Sequence, residues 1–335
     1  MTTATAAPPT STSSLETAAA RLAALLTGGG TSLADPNPNS NLEFEAVIGL
    51  RPLERTTAPT DVWAVDGGQA VVADARCVQL LVTRAARVRF SDGRCAIEEE
   101  GLLRAAVVGL GEGATARSAL ALDGLAPDCA VDINLLRDRW EWEAVGRCID
   151  ESSPGTMVLV DGDLQPDWRI PSSFLVRLLE QASSAGVTLV GVTKHSSLSR
   201  GGAPLLGQLE VEAAASFGER ALWWAPIART RPDVGEGLQV VAACLDPDAR
   251  FSFRIDLPAS ADPEVALGRL SALCDDAAFP GYPYPLTVAD RLAACPGWLR
   301  HEVRMQLDDH FDRAGVPADV RERAFADRHR LMERS

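Results

Sequence analysis

TMVLVDGDL, residues 156–164, is a short apolar run that stops at an Asp-Gly pair, and it reads as a buried strand with a carboxylate where the chain leaves the sheet. Residues 172–185 then carry a helical period, and VTLVGV (187–192) is a second buried run. Strand, helix and strand in that order make a crossover unit with parallel strands. The sequence before it has a different period. DVWAVD (61–66), 70–74, the alternating stretch CVQLLVTRAARVRF (77–90), 94–99 after the turn at Asp92-Gly93, and 102–109 predict antiparallel hairpins. From Ile133 to about Asp150 the period is helical.

Hairpins first and crossovers second predict an α/β protein with a ribonuclease H-like mixed sheet and helices on its faces. A dinucleotide-binding fold would alternate strand and helix from the start. Downstream, 207–218 and 262–275 read as helices, and 221–228, 237–245 and 251–257 as strands. Helical additions flank this body. Residues 14–27 predict an amphipathic helix closed by Gly28-Gly29-Gly30, and 286–332 a set of helices broken at Pro296-Gly297 and Gly315-Val316-Pro317. The expected division is a disordered tail over 1–13, an N-terminal helix and loop over 14–45, the main domain over 46–295 and a helical extension over 296–335.

The chain of 335 residues has no apolar run near the roughly 18–20 residues that span a bilayer, and its first residues lack the charged start and apolar block of a signal peptide. No membrane association is expected. Seven cysteines without a C-x-x-C pair fit neither a disulfide framework nor a zinc site, so a reducing, cytoplasmic setting is expected. A net charge of −14 argues against nonspecific coating of nucleic acid. It leaves room for an enzyme that gathers carboxylates around divalent cations.

Four Asp-Gly pairs occur, and those at Asp92 and Asp123 read as turns. Asp66 and Asp161 each follow a short apolar strand, where open sheets place their ligands. Like charges on neighbouring strand ends need cations between them or the loss of one charge. On a helical wheel centred on Glu141, Val145 falls near 40° and Cys148 near −20°, at about 100° per residue, so Glu141 points into the apolar face. Glu143 points to solvent. A carboxylate aimed into a core needs a cation or a strong donor, for which Arg137, one turn earlier, is a structural alternative. The three acids are oxygen ligands suited to Mg²⁺ or Mn²⁺. Lys194, the single lysine, follows the second buried strand on the same edge as Asp161 and suits a phosphate; His195 reads as a surface residue. FPGYPYPLTVAD (279–290) holds both tyrosines, Tyr282 and Tyr284, in a rigid loop that leads into a helix whose first turn is expected to carry Asp290. Gly109–Gly113 fits no nucleotide-loop pattern and reads as a turn.

VDGG (65–68), RDRWE (137–141), LVDGDL (159–164), VGVTKHS (190–196) and GYPYPLTVAD (281–290) together resemble, in order, the motifs of the NurA family of DNA repair nucleases. The resemblance implies a ribonuclease H-like nuclease domain, Mn²⁺-dependent single-strand endonuclease and 5′ to 3′ exonuclease activity, and a homodimer. It also implies partnership with the hexameric ATPase and translocase HerA in preparing DNA ends for homologous recombination, hence a cytoplasmic, nucleoid-associated protein. By motif the family's metal-binding acids fall on Asp66, Glu141 and Asp161, its tyrosine on Tyr282 and its last motif position on Asp290. The family has His there. A carboxylate is a harder ligand that still suits Mn²⁺ or Mg²⁺.

The expected mechanism is two-metal phosphodiester hydrolysis, with Asp66 bridging, Glu141, Asp161 and Asp290 completing the shells, Lys194 offsetting phosphate charge and Tyr282 orienting the strand. Arginines 84, 87, 89 and 94, and 300, 304, 321, 323, 328 and 330, are candidates for DNA backbone contacts. Two other functions compete: a non-catalytic adaptor of the translocase, and a metal-dependent phosphoesterase acting on nucleotides.

Overall fold

The computed structural model describes residues 12–36, 41–109, 130–165, 167, 169–230 and 236–326. The expectations for residues 1–11, Leu110–Gly113, Asp123, Cys129, Arg328 and Arg330 lie outside the described residues. The chain begins with α1 (Thr12–Thr27), β1 (Leu33–Ala34), β2 (Leu42–Phe44), β3 (Arg51–Pro52), β4 (Asp61–Asp74), β5 (Val78–Ser91), β6 (Arg94–Glu99), β7 (Arg104–Gly109), α2 (Ile133–Asp150) and β8 (Met157–Asp161). It continues through α3 (Ser172–Ser184), β9 (Thr188–Thr193), β10 (Ser199–Arg200), β11 (Ala203–Pro204), α4 (Leu205–Phe217), β12 (Trp223–Thr230), β13 (Leu238–Cys244), β14 (Phe253–Pro258) and α5 (Pro263–Ser271). The last described helices are α6 (Tyr284–Ala293), α7 (Gly297–Arg313) and α8 (Ala318–Phe325).

The main sheet runs β2-β12-β13-β14-β9-β8-β4-β5-β6, with β3 added to β12 and β7 to β5. Strands β4, β8 and β9 are parallel neighbours, and the sheet is antiparallel on both sides of them. This is the expected mixed sheet. Its physical origin is the change of period near Ile133: before it, β4 returns on β5 and β5 on β6, the latter through the tight turn Asp92-Gly93 with φ of 49° and 74°. After it, α3 carries the chain back so that β9 runs parallel to β8.

Two cores form, one on each face. Trp63, Val65, Val158, Val160 and Leu189 point toward α2 and α3, whereas Val62, Ala64, Met157, Leu159, Val190 and Val192 point toward α5 and α6. A third cluster seats α4 on β12 and β13. Helix α1 is amphipathic in sequence, yet residues 14–27 are all exposed. Helices α7 and α8 bury no residue.

One expected boundary is wrong. The segments 61–66 and 70–74 are a single 14-residue strand, so Asp66 lies inside β4 and does not end it. What ends near Asp66 is the pairing with β8, whose last matched pair is Val65 with Val160. Pairing with β5 continues on the other edge through Asp66, Gly67 and Gly68, opposite Ala86, Ala85 and Arg84. Nearer the hairpin turn, the register shifts between Val71 and Ala73, which marks a bulge.

Candidate metal centre at the strand ends

Asp66 lies two residues after Ala64 on β4 and shares its face, so Asp66 faces α6, as does Asp161 at the end of β8. Helix α6 starts after the loop Phe279–Pro283 and brings Asp290 over the same spot. Asp290 is the seventh residue of α6, in its second turn and not its first. One carboxylate oxygen from each of Asp66, Asp161 and Asp290 lies within 4.8 Å of the others. Lys194, the residue after β9, donates from Nζ to Asp161 Oδ2 at 2.6 Å and approaches Asp290 Oδ1 at 3.5 Å. Its ammonium also stands 4.8 Å from the centroid of the Tyr282 ring.

The environment is short of positive charge. Burial, the Asp161 carboxylate and Asp290 push Asp66 up to about 8, against a hydrogen bond donated by Gly67 N at 2.7 Å and the attraction of Lys194. Lys194 is held above its ordinary value: its bond to Asp161 and the nearby Asp290 and Asp66 outweigh burial. The Tyr282 hydroxyl is pushed far up by burial and then by Asp161 and Asp66, so it stays protonated. It is enclosed without a hydrogen bond of good geometry. The Tyr282 ring belongs to the core on this face, 5.6 Å from the Phe253 ring between centroids.

Glu141 stands apart from the trio, on the α2 face. Gly67 alternates with Asp66, and a Cβ on it would lie 1.9 Å from Glu141 Oε1. The missing side chain therefore lets the carboxylate lie against the strand that carries Asp66. Arg137 Nε approaches Glu141 Oε1 at 3.0 Å, an ion pair without the alignment of a hydrogen bond. Burial pushes Glu141 up to about 8 despite Arg137.

The donor set fits a divalent cation: three carboxylates converge, a fourth stands behind Gly67, and all offer the hard oxygens that Mg²⁺ and Mn²⁺ take. His195 is exposed. Glu143 is half-buried and pairs with Arg104 and Arg139.

Several expected DNA contacts are used internally. Arg84 and Arg87 are 8% exposed. Arg87 pairs with Glu99 and Glu151, and Arg89 with Asp61. Arg321 pairs with Asp308 and Asp312, whereas Arg94, Arg300 and Arg323 are exposed. Sequence reading also missed a buried group beside β8. Arg254 holds Asp256 through Nε at 2.8 Å and Nη2 at 2.9 Å, and its Nη1 lies 3.8 Å from Asp163. Asp256 in turn accepts from Leu164 N at 3.2 Å, which ties down the loop that leaves Asp161. The Arg-x-Asp spacing on one strand, which puts both side chains on one face, is the only local signal of it.

Fold and site define a ribonuclease H-like α/β protein with a carboxylate cluster at the exit of its parallel strands. Among solved structures, the chain is similar to the NurA nuclease from Sulfolobus solfataricus, with 14% identity, 80% of this chain and 88% of that one covered, and a TM-score of 0.54. A second NurA structure gives 9%, 79%, 92% and 0.48 for the same quantities, and the catalytic domain of human endonuclease V gives 17%, 92%, 100% and 0.40. The likeness that the motifs suggest is thus present in the fold. No protein-family model matches the sequence, and no curated protein matches it.

Proposed function

We propose that this chain is a metal-dependent deoxyribonuclease of the NurA kind, hydrolysing phosphodiester bonds at the cluster of Asp66, Asp161 and Asp290. The observation that carries the reading is the convergence of these three acids with Lys194 on one face of a ribonuclease H-like sheet. With Glu141 they would hold Mn²⁺ or Mg²⁺, which when bound activates water and stabilises the leaving oxygen in two-metal hydrolysis.

Lys194 stays charged and offsets charge on the scissile phosphate. Tyr282 stays neutral, so its hydroxyl donates to a phosphate oxygen or a water and does not act as a base. Asp290 supplies a ligand where the family has an imidazole, so proton transfer is left to water and to neighbouring carboxylates. In its finer terms the reading comprises single-strand endonuclease and 5′ to 3′ exonuclease activity, a homodimer, and cooperation with a HerA-type translocase at DNA ends during recombinational repair. The setting would be cytoplasmic and nucleoid-associated. No described helix is long and apolar enough to cross a membrane.

The test is cleavage of 5′- and 3′-labelled single- and double-stranded DNA with Mn²⁺, Mg²⁺ or EDTA. We expect metal-dependent degradation that falls by roughly 10²–10³-fold or more in Asp66→Ala. Undiminished activity in a folded Asp66→Ala protein sinks the assignment. A folded wild-type chain that cuts nothing, with or without the translocase, points to an adaptor, and one that cuts only mononucleotides or dinucleotides points to a nucleotide phosphoesterase.

A further inference from the structure

Gly68 and Arg84 are directly paired across β4 and β5. A Cβ on Gly68 would lie 1.7 Å from Ala293 O, so the last turn of α6 rests on bare backbone two residues from Asp66. Arg84 donates from Nε to Ala293 O at 3.1 Å, from Nη2 to Ala294 O, and from Nη1 to Glu100 Oε2 at 2.9 Å. It therefore binds the negative end of the helix dipole with a cation that is 8% exposed. Ala294 N closes the helix by donating to Asp290 O at 2.9 Å. The backbone of Asp290 is thus one hydrogen bond removed from the arginine.

We propose that Arg84 is a positioning residue of the metal centre: through the gap at Gly68 it clamps the end of α6 and so sets the distance of Asp290 from Asp66 and Asp161. The inference rests on the reading that these acids hold a divalent cation. Burying a guanidinium costs free energy unless its donors are used, and here they close on two helix carbonyls and one carboxylate. Arg84 acts through Asp290, so its effect on the metal should vanish when Asp290 has no carboxylate.

The experiment is calorimetric titration with Mn²⁺ alone, without DNA, alongside thermal melts. The proteins are wild type, Arg84→Gln, Arg84→Lys, Gly68→Ala, Asp290→Ala, and Asp290→Ala combined with each of Arg84→Gln and Gly68→Ala. Arg84→Gln is expected to weaken Mn²⁺ binding by about 10-fold, the lower end for residues that support metal ligands. Arg84→Lys should recover part of that loss. In the Asp290→Ala background Arg84→Gln should change affinity by less than about twofold. Gly68→Ala displaces α6 without removing a charge and should show the same dependence on Asp290, which covers the case in which Arg84→Gln does not fold. An equal loss in both backgrounds, or a lower melting temperature with unchanged Mn²⁺ affinity, overturns the proposal. If Asp290→Ala binds Mn²⁺ as the wild type does, the metal reading of the trio fails first and takes this inference with it.

Discussion

Asp256 and Asp66 are both buried acids near the same end of the sheet, on opposite faces, and they are neutralised in different ways. Asp256 is fully buried, and Arg254 grips both of its oxygens at 2.8 and 2.9 Å. Asp66, Asp161 and Asp290, with Glu141 behind them, have Lys194 in contact with two of the four and Arg137 beside another. The difference separates an acid neutralised within the fold from acids that share a single lysine. A bidentate arginine completes its carboxylate's charge and hydrogen bonds at once. Burial first, and then the Asp161 and Asp290 carboxylates, push Asp66 up to about 8, and Lys194 only partly opposes them.

The comparison breaks most decisively at Arg254. Arg254→Met leaves Asp256 buried without a counter-ion and should cost about 3–5 kcal/mol in chemical denaturation. Asp66→Asn removes a carboxylate from a crowded site and should leave metal-free stability unchanged or raised. The reverse pattern would show that the cluster at Asp66 is the structural one.

A smaller effect follows from pH. Asp66 and Glu141 are both held up at about 8, so between about pH 4 and pH 8 the folded metal-free chain binds more protons than the unfolded one. Stability in EDTA should therefore fall as pH rises through that window. Saturating Mn²⁺ should flatten the slope, because metal binding favours the deprotonated carboxylates. Identical pH profiles from melts in EDTA and in Mn²⁺ would mean that these acids do not meet the metal. The smallest effect concerns Lys194, whose side chain is 39% exposed. Lys194→Met should tighten Mn²⁺ by about two- to five-fold by removing a partly screened cation, while lowering the rate of DNA cleavage.

The order of hairpins and crossovers is legible in the sequence because the hydrophobic period itself changes, from about two residues to about 3.6. Asp161 and Lys194 are legible as strand-end residues because short apolar runs precede both. The continuity of β4 is not, since Gly67-Gly68 reads as punctuation. What carries the strand through them is pairing with β5 on one edge and helices on both faces, none of it local. The roles of Arg84 and Arg87 are hidden for the same reason. Their partners Ala293 and Glu151 lie 209 and 64 residues away, and no spacing rule connects them.

The bulge between Val71 and Ala73 separates the hairpin turn from the stretch that carries Asp66. A strand has a parity: moving it by one residue exchanges its two faces. Between the bulge and Asp66, one inserted or deleted residue would exchange the faces of the residues it displaces, those after the glycines that receive Glu141 and the end of α6. On the turn side of the bulge, the parity at Asp66 is already set by its own pairing with Ala86. The irregular residue therefore works as a buffer: length changes in the turn at residues 75–77 should be tolerated, and the same changes a few residues closer to Asp66 should not.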